Sequence, residues 1–229
     1  TYFIFLPSFC LPQDKQLIDS GETKTIADLK QQLITANDDS SRIYILEGIG
    51  FYYEALNADS SMKYTQAALA YARKRSRHGD EARLMAGLSS VLRQQGKFAE
   101  ALDLLFKSLK IAQENNLTRD IARAYRRLGL VYYDLENFPK ALTYFLQAVE
   151  LDEKIENKRT AAIDHLNLGD AYEKMDKLDS AAFHIDIAFK QKDALDLTGP
   201  DINNIYGNIQ VKKENYDQAL LFYKEGFKL

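Results

Sequence analysis

The chain has 229 residues, 46 % of them hydrophobic and 28 % charged, with no tryptophan, four prolines and eleven glycines, the balance of an ordinary helix-rich soluble protein. Its formal net charge is −3 with the signs interspersed, which argues against a dedicated nucleic-acid binder, since such a domain is usually strongly basic. One cysteine and three histidines leave little material for a disulfide framework or a metal centre.

In chain order, Thr1 to Pro12 is uncharged and apolar, and polar Gln13-Asp14-Lys15 follows at once. Twelve residues are too few to span a bilayer, which needs about 20. They suit the end of a secretory signal peptide, with small Ser8 and Cys10 at −3 and −1 before a cut preceding Leu11. No initiating Met or basic stretch precedes them, so an upstream piece is expected. A helical stripe runs into Leu229, so a continuation is expected there too. The alternative for the first twelve residues is a buried strand or helix. A lipid anchor on Cys10 fits less well, because bulky Phe9 precedes the cysteine.

Residues 13–40 read as a lead-in with one helix, Thr25 to Ile34, whose Ile26, Leu29 and Leu33 share a face. Asn37-Asp38-Asp39-Ser40 ends it and offers N-caps to the next helix. Ile43 to Ala55 and the segment from Asp59 through Tyr64 form a first helix pair. The run Arg73-Lys74-Arg75-Ser76-Arg77-His78 reads as a helix C-terminus whose cations favour the dipole. The alternative is a patch for nucleic acid or anionic lipid.

Beyond this point one pattern dominates. Ala101, Ala141, Ala181 and Ala219 recur at spacings of 40, 40 and 38 residues, each within the same apolar word. One copy reads Leu128-Gly129, Tyr132, Ala141, Phe145, Ala148; another reads Leu168-Gly169, Tyr172, Ala181, Ile185, Ala188. Leu88-Ser89, Leu92, Ala101, Leu105 and Ser108 form an earlier copy, and Tyr206-Gly207, Ala219, Tyr223 and Gly226 a later one. A degenerate first copy runs through Tyr52, Ser61, Thr65 and Ala68. Self-similarity at this period means stacked supersecondary modules.

Each copy is a helical hairpin. Tyr125, Leu128, Gly129, Tyr132 and Leu135 lie on one stripe, and Ala141, Leu142, Phe145, Ala148 and Val149 on a second. Only Glu136-Asn137 separates them, so the two helices are antiparallel neighbours. Gly129, Gly169 and Gly207 each cost about 1 kcal/mol inside a helix, which is tolerable where a bare backbone must meet the partner helix opposite the recurrent alanine. One hairpin cannot bury its stripe alone, so neighbours must stack.

These residues resemble the tetratricopeptide repeat over roughly 41–229. The period is nearer 40 than the usual 34, and most copies lack the closing proline; long-period arrays of this kind resemble those of bacterial regulators. The resemblance implies an all-α superhelix, right-handed, of about five helix–turn–helix units plus the lead-in helix. The units are about 41–78, 79–117, 118–157, 158–197 and 198–229. It also implies a concave groove, lined by the first helix of each unit, that holds a peptide or partner segment. The family's inward positions fall at Arg83, Ala86, Ser90 and Arg93, at Arg123, Arg126, Leu130 and Tyr133, at Ile163, Leu166, Asp170 and Glu173, and at Asn204 and Asn208. Of these, Arg83, Arg93, Arg123, Arg126, Leu130, Tyr133, Asp170, Asn204 and Asn208 are the candidate partner-binding residues. Guanidinium groups there would suit an anionic segment; alternatively they are solvated or pair with acids inside the groove.

Nothing reads as a catalytic or cofactor constellation. His78, His165 and His184 lack metal spacing, and no phosphate-loop word occurs. His165 reads as a core or groove-edge residue, where other copies have Tyr125 or Met85, and His184 as partly exposed. Cys10 lies in the leader, so the mature chain would carry no thiol. Gly48-Ile49-Gly50 carries little weight, Asp152-Glu153 reads as a solvated face, and Asn116-Leu117-Thr118 as a turn with a threonine cap.

The order of features also resembles the extracytoplasmic repeat regions of Bacteroidota-type sensor kinases and regulators. The expectation is therefore a non-enzymatic protein-interaction module without cofactor, exported to the periplasm or membrane-anchored, and forming the sensing part of a longer signalling protein. Its partner is a protein or peptide, with no nucleic acid and no membrane span in this region. The alternatives are a stand-alone cytoplasmic scaffold and the non-catalytic region of a histidine kinase.

Overall fold

A computed structural model describes residues 25–191 and 200–226. The apolar start, with its expected cut before Leu11, lies outside the described residues. All regular structure among the described residues is helical: α1 Ile26–Thr35, α2 Asp39–Glu54, α3 Ala58–Lys74, α4 His78–Gln94, α5 Phe98–Glu114, α6 Thr118–Asp134, α7 Phe138–Lys154, α8 Lys158–Lys174, α9 Leu178–Gln191, α10 Pro200–Lys212 and α11 Tyr216–Gly226. After the lead-in α1 the helices form five pairs, α2/α3 to α10/α11, as the repeat predicts.

The register is tighter than the sequence period suggests. Helices α3 to α9 begin every 20 residues, and those from α3 to α8 are each 17 residues long. The unit of construction is one helix plus a three-residue turn, and the 40-residue repeat is two of these. Local hydrogen bonds set the turn. Its middle residue is left-handed at Ser76, Gly96, Asn116, Glu136, Glu156, Asp176 and Glu214, with φ between 50° and 72°. The next N–H then bonds the carbonyl five residues back, as in Arg77 to Ala72, Lys97 to Leu92, Asn137 to Tyr132 and Asn157 to Asp152, at 2.8–3.0 Å. This closes each helix without a proline. The Asn116-Leu117-Thr118 triplet is such a turn, but Thr118 is the first residue of α6, not its cap.

The N-terminal helices are closed by side chains. Thr25 and Asp28 form a reciprocal capping box on α1, and Asp38 caps α2 by accepting from the Ser41 N–H at 2.8 Å. The basic run closes α3 and is held by acids: Arg73 by Glu81 at 2.8 Å, Arg75 by Asp39 and Arg77 by Asp80, both at 2.5 Å.

Two compact units divide the chain, 1–120 and 121–229. In the first, Ile43, Leu46, Leu69, Leu84, Met85 and Leu88 form a core joining α2, α3 and α4. In the second, Leu142, Phe145, Val149 and Leu168 pack α7 on α8, while Leu166, Ile185, Ile202 and Ile209 bring in α9 and α10.

Within the pairs the glycines do what the sequence requires of them, against a different neighbour. A Cβ on Gly129 would overlap the Phe145 ring, one on Gly169 the Ile185 side chain, and one on Gly207 the Tyr223 ring. The space is thus filled from one turn beyond the recurrent alanine.

A second contact repeats beside it. In three of the pairs, three residues after the small position of each helix, ring faces ring: Tyr53 on Tyr64 at 5.8 Å, Tyr132 on Tyr144 at 5.5 Å and Tyr172 on His184 at 5.4 Å, all near parallel. A lysine lies over two of these pairs, Lys30 over Tyr53 at 5.6 Å and Lys140 over Tyr132 at 4.6 Å.

Candidate partner-binding face

The candidate residues sit on first helices, and side chains tie neighbouring first helices together within each unit. In the second unit, Arg126 of α6 is buried. Its Nε and Nη2 donate to the two Asp164 oxygens of α8 at 2.6 and 2.9 Å, and Nη2 also donates to Asp152 of α7. Further along α6, the Tyr133 hydroxyl donates to Asp170 of α8. One turn on, Glu173 of α8 meets Lys212 of α10, whose Nζ lies 3.0 Å from Oε1 and donates to the Glu173 carbonyl at 2.7 Å.

The first unit is tied in the same way. Arg83 of α4 pairs with Glu47 of α2 and, at 2.6 Å, with Asp80. Gln94 of α4 donates to Glu54 of α2 at 3.1 Å.

This pairing has electrostatic consequences. One guanidinium between two acids leaves negative charge in excess. Burial pushes the Asp164 carboxyl up to about 7, and nearby Asp152 adds to this, against the pull of Arg126. Burial opposes the charge on Arg126, but Asp164 and Asp152 outweigh it and the guanidinium pKa rises. Asp170 is raised by burial despite the Tyr133 hydrogen bond, and Tyr133 is raised by burial and then by Asp170.

A wall of open arginines was one expectation, and it does not hold for Arg83, Arg93 or Arg126. Arg83 and Arg126 already carry carboxylates of their own chain, and Arg93, like Arg126, is buried. Arg123, Leu130, Tyr133, Asp170 and Asn204 are half-buried on the first-helix positions expected of them. Asn208 accepts the Tyr223 hydroxyl at 2.7 Å, so its amide oxygen is engaged within its own pair.

Two partners were missed in the sequence. Asp152, read with Glu153 as solvated, is 1 % exposed while Glu153 faces water. Its place one turn after buried Ala148 and Val149 was the available signal. The other miss is a pairing. His165 is buried, as expected, and its Nδ1 lies 2.9 Å from that of half-buried His184, with the rings stacked at 5.1 Å. One nitrogen must therefore donate and the other accept. Burial and then the charge of His165 push His184 down to about 4, and burial lowers His165 against the pull of Glu153. Among the described residues no group of three or more His, Cys, Asp or Glu could hold a metal ion.

Comparison with known proteins follows the same division of the chain. A family model described as the SusR N-terminal TPR domain matches residues 13–113, and one described as the tetratricopeptide repeat matches 120–185. Response regulator aspartate phosphatase I of Bacillus subtilis (strain 168) is 25 % identical over 154 residues, 67 % of this chain and 39 % of that protein. Response regulator aspartate phosphatase E of the same strain is 35 % identical over 100 residues, 42 % of this chain and 24 % of that protein. The chain thus spans well under half the length of these relatives. Among solved structures, BtubC (BKLC) from P. vanneervenii superposes with a TM-score of 0.72 at 16 % identity, covering 88 % of this chain and 87 % of that one. A Rap protein complexed with Competence and Sporulation Factor gives 0.69 at 21 % identity, covering 87 % and 67 %. At these identities the likeness is one of fold.

Proposed function

We propose that this chain, which is a tetratricopeptide-repeat array, is the partner-binding and sensing part of a longer exported or membrane-anchored signalling protein. As a repeat array it is a protein-interaction module. The finer reading places an extended peptide on the first-helix face of α6, α8 and α10, against Arg123, Leu130, Tyr133, Asp170, Asn204 and Asn208. In the first unit Arg83 and Arg93 hold the corresponding positions.

The observation that carries this is the Tyr133–Asp170 bond, which joins two first helices beside half-buried Leu130. Apolar, donor and acceptor groups are thereby fixed on one surface. A preorganised face of this kind binds with little ordering cost. Arg83 and Arg126 are balanced internally, so selection rests on hydrogen bonding and the apolar contact more than on net positive charge. The match to the SusR N-terminal TPR domain supports a place in a longer regulator. The Rap structure with its bound factor supports partner binding by this fold. No described helix is long and apolar enough to cross a membrane.

A photo-crosslinking side chain at position 130, in cells of the source organism, should trap a discrete partner. Tyr133→Ala should abolish trapping. The same probe at exposed position 150 on α7 should trap nothing. Equal trapping from both positions would contradict the reading.

A further inference from the structure

The second helices of the second unit share an outer stripe. Two residues before the recurrent alanine, two after it and five after it lie on one side of the helix. In α7 these are Pro139, Thr143 and Leu146, and in α9 Asp179, Phe183 and Asp186. All six are exposed, although α8 follows α7 and α10 follows α9, so stacking within the array leaves this side open. In α11 the same positions hold Asp217, Leu221 and Lys224, all exposed, and Leu220 beside them is 52 % exposed. Among the described residues neither Asp217 nor Lys224 enters an ion pair.

The order of these residues is self-matching. Turned end for end about a two-fold axis between Leu220 and Leu221, a second α11 sets its Lys224 opposite Asp217 and its Asp217 opposite Lys224. The leucines meet at the centre. The same operation on α9 would set Asp179 against Asp186 as like charges, and Asp179 already meets Lys213 at 3.1 Å. On α7 it would bring no charges together. Of these three helices, α11 alone is complementary to its own inverted copy, as an isologous contact requires.

We infer that α11 is a contact between two copies of this chain, packed antiparallel through Asp217, Leu220, Leu221 and Lys224. The occupant is a second copy because the charges match themselves; a different protein would place no such constraint on their order. One face of an 11-residue helix is small beside a standard protein interface, so the association is weak and reversible. The contact lies on a second helix, apart from the first-helix face of α6, α8 and α10, and its failure would leave that reading untouched.

Sedimentation equilibrium of the full chain over a wide concentration range tests this. The average mass of the parent should rise with concentration from monomer towards dimer. Asp217→Lys and Lys224→Asp each turn two attractions into two repulsions and should weaken self-association about tenfold or more. Combining both reversals in one chain restores the matched order and should recover the parent's behaviour. Leu221→Gln, at an open position, should abolish association with the charges intact, and it keeps the test decisive if a charge-reversed helix end frays. A parent that stays monomeric would overturn the inference and leave the stripe to another protein or to a later segment of its own chain. So would a double variant as weak as the single ones, since reversing both ends of a self-matched antiparallel contact restores it.

Discussion

Gly129 on α6 lies directly against the Phe145 ring on α7, and the ring occupies the volume that a Cβ would need. Phe145 is fully buried, so it cannot swing aside without cost. Gly129→Leu should destabilise the second unit by about 1–3 kcal/mol through overpacking. Gly129→Ala gains about 1 kcal/mol of helix propensity and should still be destabilising. Phe145→Leu should partly rescue it, as a double-mutant cycle in urea would show. Additive effects would mean that the two residues do not share this contact.

The left-handed turn residues give a test of opposite sign. Glu156 has φ of 54° and Gly96 of 72°. An L-residue in that region costs about 1–2 kcal/mol. Glu156→Gly should therefore raise stability by about 0.5–1 kcal/mol, and Gly96→Ala should lower it by about 1 kcal/mol. Thermal or urea unfolding of the two variants checks this.

Removing Arg126 strands two buried carboxylates. Arg126→Ala should cost about 3–5 kcal/mol at neutral pH, and less at acid pH, where Asp164 takes up a proton. Asp164→Asn should cost far less, because Asp152 still meets the guanidinium. An Arg126→Ala loss independent of pH would contradict the pairing.

The pH dependence of stability has two opposed parts. Asp164 is raised in the folded chain from 3.8 to about 7. Its contribution is full below the unfolded pKa and is lost as pH rises through 7. His184 is lowered from 6.5 to about 4. Its contribution is present above 6.5 and is lost as pH falls through 4. Asp164→Asn should therefore flatten the stability profile on its neutral side, and His184→Gln on its acid side. Identical profiles for both variants and the parent would refute the assignment.

The hairpins were legible in the sequence because alanine and glycine recur where backbones meet, and this periodicity survives without any contact being known. The 20-residue register was not, because its left-handed positions hold Ser, Asn, Asp and three Glu, and only Gly96 announces itself. The first-helix positions were legible, but the chemistry of their side chains was not. Arg126 meets Asp152 and Asp164 across 26 and 38 residues, and a family's inward position does not say whether a side chain is already paired. Asp152 was hidden by exposed Glu153 beside it.

The most direct measurement for the partner-binding face is hydrogen exchange of the chain with and without the partner trapped from position 130. Slower exchange in α6, α8 and α10, with α7 and α9 unchanged, is the expected result. Protection confined to α7 and α9 would contradict it.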